Sequence, residues 1–172
     1  MTNMIRSRLA REKAHNILSM YKIIETPVDV VKVSNLLGFK VVLLDFPETM
    51  SAVIRIEGTK KIIAVNKNKP EVRQRFSIAH ELGHYLSGHD NFSHERETFI
   101  DRDKKYLDPH HREEEEADEF AAELLMPEFM LKRDVLENKL DAVAIANKYN
   151  VSEQAIWLQL INLKLASKEG RA

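Results

Sequence analysis

The stretch Phe76-Ser77-Ile78-Ala79-His80-Glu81-Leu82-Gly83-His84-Tyr85-Leu86-Ser87-Gly88-His89 decides the fold. Val72, Phe76, Ala79, Leu82 and Leu86 recur at intervals of three and four, which predicts a helix starting near Pro70. Residues four apart stack on one helix face, so His80 and His84 can reach the same tetrahedral zinc. Glu81, the next residue along, can reach a water polarised by that zinc and accept its proton. The five-residue pattern alone arises by chance about 0.03 times in a chain of this composition. The flanks add weight. Ile78, Ala79, Leu82, Tyr85 and Leu86 predict a largely buried helix, in which two histidines and a glutamate need polar partners.

Two sources of a third ligand stay open. In the pattern HExxHxxGxxH a glycine turns the chain and brings in a third histidine. Here Ser87 holds the glycine position, Gly88 falls one residue late, His89 one early, and Asp90 sits where that ligand belongs. The other source is a glutamate from a second helix. Residues 112–126 supply one, with four glutamates in a row at 113–116. On a wheel of 100° per residue, Ala117, Phe120, Ala121, Leu124 and Leu125 form its buried stripe. Glu113 and Glu114 flank that stripe, whereas Glu115, Glu116, Glu119 and Glu123 point away, as in a solvated acidic helix start. Asp118 lies one turn after Glu114 on the same side. Glu114 is therefore the expected ligand, Glu113 the runner-up, and Asp118 the partner that holds a ligating histidine in one tautomer.

Composition agrees with such a site. The chain has 172 residues, 44% hydrophobic and 31% charged, enough for one core with a small appendage. It has seven histidines and no cysteine, which excludes thiol nucleophiles, disulfide scaffolds and cysteine zinc knuckles. Any metal site must use His, Asp and Glu. Lys and Arg number 26 against 27 Asp and Glu, for a net charge of −1, which disfavours a broad phosphate-binding surface. The basic, polar N-terminal stretch has no signal-like apolar run, and no run approaches the roughly 20 residues of a membrane span. A cytoplasmic location is the default expectation.

Outward from the motif, residues 5–21 read as a helix, and a second starts at Thr26-Pro27 with Thr26 as cap and ends at Gly38. Segments 39–46, 52–56 and 61–65 read as strands, the last two around a turn at Gly58. Residues 88–111 read as a polar loop, and 128–166 as two or three short helices.

HELGH, then EEEADEFAAELLMP about thirty residues later, then a helical tail: this combination resembles the ImmA/IrrE family of metallo-endopeptidases over most of the chain. FAAELLMP is the more specific half. The resemblance implies a thermolysin-like zinc site with His80, His84 and Glu114 as ligands, Glu81 as general base, and Asp118 at a position that is Asn or Asp in the family. It also implies that the substrate is a helix-turn-helix repressor, as for the founding members.

An oxyanion donor beyond the zinc is also expected, with Tyr106, His110, His111 and Tyr149 as candidates. Residues 141–165 look like a helix-turn-helix packed through Ala146, Val151, Ile156 and Leu160. Its second helix offers Glu153, Gln154, Gln159, Asn162 and a single cation, Lys164, so DNA contact is not expected. Trp157 reads as core. If segment 61–65 were a free sheet edge, a substrate strand could add to it. The expected whole is an α+β chain: a zincin-like core over 1–127 with a short, mostly antiparallel sheet, and a helical tail over 128–172 packed on it. The expected function is a zinc endopeptidase with one Zn2+ per chain acting on a cytosolic protein. The alternative is a non-catalytic regulator or anti-repressor that binds protein partners through its tail.

Overall fold

The motif helix lies between a three-stranded sheet and a second long helix. The computed structural model describes residues 3–89 and 111–166. In chain order these form α1 (Asn3–Met20), α2 (Val30–Leu36), β1 (Phe39–Leu44), β2 (Ala52–Glu57), β3 (Lys60–Asn66), α3 (Glu71–Ser87), α4 (His111–Leu125), α5 (Glu128–Lys132), a π-helical turn (Arg133–Glu137), α6 (Ala142–Tyr149) and α7 (Glu153–Asn162). The chain is thus α+β. No helix among the described residues is long and apolar enough to cross a membrane.

The sheet is mixed, in the order β1-β3-β2. β2 and β3 form a hairpin, with Ile54 opposite Ile63. β1 lies on the other side of β3 and runs parallel to it, Val41 beside Ile63. The chain reverses once between β1 and β2 and again in the hairpin, so the first and third strands run the same way. This corrects the expected mostly antiparallel sheet: one of its two pairings is parallel. It also removes segment 61–65 as a free edge, because β3 is paired on both sides. Burial of Ile63, Ala64, Val65 and Asn66 in succession is what a central strand requires. The Asn66 amide nitrogen, 2.8–3.2 Å from the carbonyl oxygens of Phe46, Pro47 and Met50, organises the crossing from β1 to β2.

The second helix starts later than expected. Its cap is Asp29, whose carboxylate accepts the Lys32 N–H at 2.9 Å, not Thr26. Asp caps at least as well as Thr, and here it leads directly into the buried pair Val30 and Val33.

One apolar core runs from Ala10 on α1 to Leu160 on α7. The expected packing positions Ala146, Val151, Ile156 and Leu160 are all buried. Gln159 is buried as well, donating to the Met126 carbonyl, and is unavailable to a partner. Trp157 is half-buried, outside this core. Arg75 on α3 joins the tail to the rest, donating to the carbonyls of Val28, Tyr149 and Asn150.

α3 packs on α4, and α4 on α1. Where α3 crosses α4, a Cβ on Gly83 would stand 2.9 Å from the Ala117 Cα, 3.0 Å from its carbonyl oxygen and 3.2 Å from the Phe120 Cβ. Two of these are backbone atoms and cannot swing aside. Gly83→Ala should gain up to about 1 kcal/mol of helix propensity but incur about 1–3 kcal/mol of overpacking. A net fall in the unfolding midpoint is expected in a thermal melt; a rise would show that the helices have room.

Two glutamates expected to face solvent are buried: Glu116, 8% exposed, and Glu123, 4% exposed. The wheel placed them by the apolar stripe alone, but each carboxylate has partners. Glu116 meets Arg6 and His89, and Glu123 accepts the Glu128 N–H at 3.0 Å, capping α5. Burial pushes the Glu123 carboxyl up to about 7, with the Glu128 N–H and Arg11 pulling against it. The fold thus prefers Glu123 protonated. Its stabilising share is full below the unfolded value of 4.5 and is lost as pH rises towards 7. Glu123→Gln keeps the acceptor without the charge. It should add about 3 kcal/mol of stability above neutral pH and little near pH 4.5, read from urea unfolding at both values.

Candidate metal centre

α3 is apolar on the faces that bury Ile78, Ala79 and Leu82, and it turns its two histidines towards α4. Nε2 of His80 and Nε2 of His84 are 2.9 Å apart. The Glu114 carboxylate closes the group, with Oε2 3.2 Å from the His80 Nε2 and Oε1 3.4 Å from the His84 Nε2. The three side chains are 14%, 12% and 19% exposed, shielded yet reachable. Among the described residues, His80, His84 and Glu114 form the one group able to hold a metal ion. The runner-up, Glu113, is not in it.

Each imidazole is held from behind. His80 Nδ1 donates to Asp118 Oδ1 at 2.9 Å. Behind His84 stands a residue the sequence reading did not use in this way. His84 Nδ1 and His89 Nδ1 are 2.9 Å apart, His89 Nε2 is 3.1 Å from Glu116 Oε2, and Arg6 Nη1 donates to Glu116 Oε1 at 2.8 Å. His89 is therefore outside the converging group, which sets aside the HExxHxxGxxH option for that residue. A usable signal was present. Gly88 ends α3 in the left-handed conformation at φ +72°, and a helix ending this way folds the next residue back onto its last turn. The His89 N–H meets the His84 carbonyl at 3.2 Å, bringing the two side chains together.

The donor set suits a cation. Nδ1 of His80 is spent on a carboxylate, so its Nε2 is the nitrogen that faces the Glu114 oxygens and can exchange a proton for a metal ion. Burial alone would lower the His80 pKa, but Asp118 and Glu114 outweigh it and push it up to about 10. Burial alone would likewise raise the Glu114 carboxyl, yet His80 and His84 hold it below the usual carboxylate range. The same contest holds the Glu116 carboxyl low through Arg6 and His89, and burial lowers the His89 pKa. A positive charge at the Nε2–Nε2–carboxylate meeting point is thus strongly favoured, whether carried by a proton or a metal. Donors about 2.0–2.2 Å from a tetrahedral zinc stand roughly 3.3–3.6 Å apart. The carboxylate contacts approach that spacing and the imidazole pair is tighter, so the three residues fit one ion.

Glu81 lies on α3 beside His80 and is partly buried. Of the oxyanion candidates, Tyr149 is fully buried and donates its hydroxyl to Asp134 at 2.8 Å, which together with burial raises its pKa. His111 Nε2 lies 3.0 Å from Glu115 Oε1. Tyr106 and His110 lie outside the described residues, as does Asp90.

The family model for the IrrE N-terminal-like domain, Peptidase M78, matches residues 35–160. No curated protein matches the chain. Among solved structures, a Mycobacterium tuberculosis transcriptional regulator is similar, with a TM-score of 0.64 and 16% identity over 87% of this chain. The match covers 45% of that protein, so this chain spans less than half its length. At that identity the likeness is one of fold. For the ligand assignment, Glu114→Ala should weaken zinc binding by roughly 100-fold or more in a chelator competition, and Glu115→Ala by little. Equal effects would remove Glu114 from the site.

Proposed function

Since the chain belongs to the ImmA/IrrE peptidases of the Peptidase M78 family, we propose that it is a zinc-dependent endopeptidase with a thermolysin-like zincin core. The observation that carries this reading is the convergence of His80 Nε2, His84 Nε2 and a Glu114 carboxylate, with Asp118 holding His80 from behind. His80, His84 and Glu114 would hold one ion and leave a coordination position for a guest. Bound there, zinc supplies Lewis acidity to a water and to the scissile carbonyl. Glu81 accepts the proton of the attacking water on its carboxylate and returns it to the departing amine. Asp118 keeps His80 protonated on Nδ1, so that Nε2 stays available.

The proposed substrate is a cytosolic protein of the helix-turn-helix repressor class, following the family. The tail, helix-turn-helix-like in its α6–α7 pair, is proposed to pack on the core and dock protein, not DNA. Its exposed Val143 and Leu158, with buried Gln159, favour protein contact. The same exposed residues favour the second reading, a regulator that acts by binding alone.

Glu81→Gln separates the two. It should retain about one zinc per chain and lose cleavage by roughly 10²–10⁴-fold against a repressor substrate. Full biological effect in that variant would favour binding without catalysis.

A further inference from the structure

We propose that His89 is a positioning residue for His84: with Glu116 and Arg6 it forms a relay that fixes which nitrogen His84 turns to the metal. This rests on the assignment of His84 as a ligand. Its polarity follows from the far end. Arg6 has only donors and pairs with Glu116 at 2.8 Å, so Glu116 is an acceptor towards His89. His89 must then donate from Nε2, 3.1 Å away. A neutral imidazole has a single N–H, which leaves Nδ1 of His89 bare. With His89 neutral, the 2.9 Å contact between the two Nδ1 atoms is filled by a proton on His84. His84 thereby presents a bare Nε2 to His80 and Glu114. Each proton position is dictated by the next link, starting 110 residues away at Arg6.

The relay is built to keep its order. His89 is 7% exposed and Glu116 8%, so water competes poorly for their hydrogen bonds. Backbone geometry supplies the rest, because Gly88 places His89 against the last turn of α3. The two ligands are thus braced differently. His80 leans on the carboxylate of Asp118, whose side chain is 59% exposed. His84 leans on a neutral, buried ring with its carboxylate one step further back. Partners of this kind typically contribute 10–100-fold to metal affinity.

The test reads proton positions and zinc affinity, without an activity assay. In zinc-loaded wild-type protein, histidine proton–nitrogen correlation spectra should show His84 protonated on Nδ1 and His89 on Nε2 alone. His89→Leu should weaken zinc binding by roughly 10–100-fold in chelator competition and alter the absorption of the cobalt-substituted protein. His89→Gln, whose side-chain oxygen can accept the His84 proton, should recover most of that loss. A His89 proton on Nδ1, or a His89→Leu variant that binds zinc like wild type, overturns the proposal. If His89→Leu does not fold, the wild-type proton positions decide. Wild-type protein that takes up no zinc overturns the metal reading itself, and this inference with it.

Discussion

The absence of a single side chain, at Gly83, sets the distance between α3 and α4. The backbone of α4 at Ala117 occupies the space a Cβ would need. One helical turn before Gly83 is His80, and one turn before Ala117 is Glu114. Glutamate is short relative to an interhelix gap of ordinary width, typically 8–10 Å between axes. Close contact at 83 and 117 is what lets its carboxylate stand between two imidazoles while Asp118 reaches the back of one of them. The convergence of these three side chains is therefore a packing result first and a chemical one second.

Such closeness has an electrostatic cost. Lone pairs of two imidazoles and a carboxylate meet in a partly desolvated place, and nothing in the apolar core offsets them. The two helices compensate each other in part, histidines of α3 against carboxylates of α4, and further compensation comes from outside the pair. α1, at the other end of the sequence, contributes Arg6 to Glu116 and Arg11 to Glu119. Five carboxylates of one helix, at 114, 115, 116, 118 and 119, are each given a cation or an imidazole. Glu123 receives only a backbone N–H at 3.0 Å and accordingly prefers its proton.

What could be read from the sequence was what periodicity encodes. His80, His84, Glu114 and Asp118 follow from helical repeats on two segments, each amphipathic by itself. What escaped depends on long-range choice. Glu116 belongs to the polar side by its apolar neighbours, and only Arg6 and His89 make its burial tolerable. The strand order was equally invisible, because alternation fixes which residues face the core and says nothing of whether β1 adds beside β2 or β3. For the second helix, the Thr26-Pro27 pair read as a start because proline suits a first turn, although aspartate caps at least as well as threonine and Asp29 is the cap.

Gly88 reverses the chain directly after α3, and that reversal has a fixed reach of one residue. A histidine immediately past such a glycine is returned to the helix it has just left and meets the imidazole already there from its outer side. Reaching the inner side requires more chain between glycine and histidine, as the three-histidine pattern provides. The glycine thus places His89 on the far side of His84 from the point where His80, His84 and Glu114 meet.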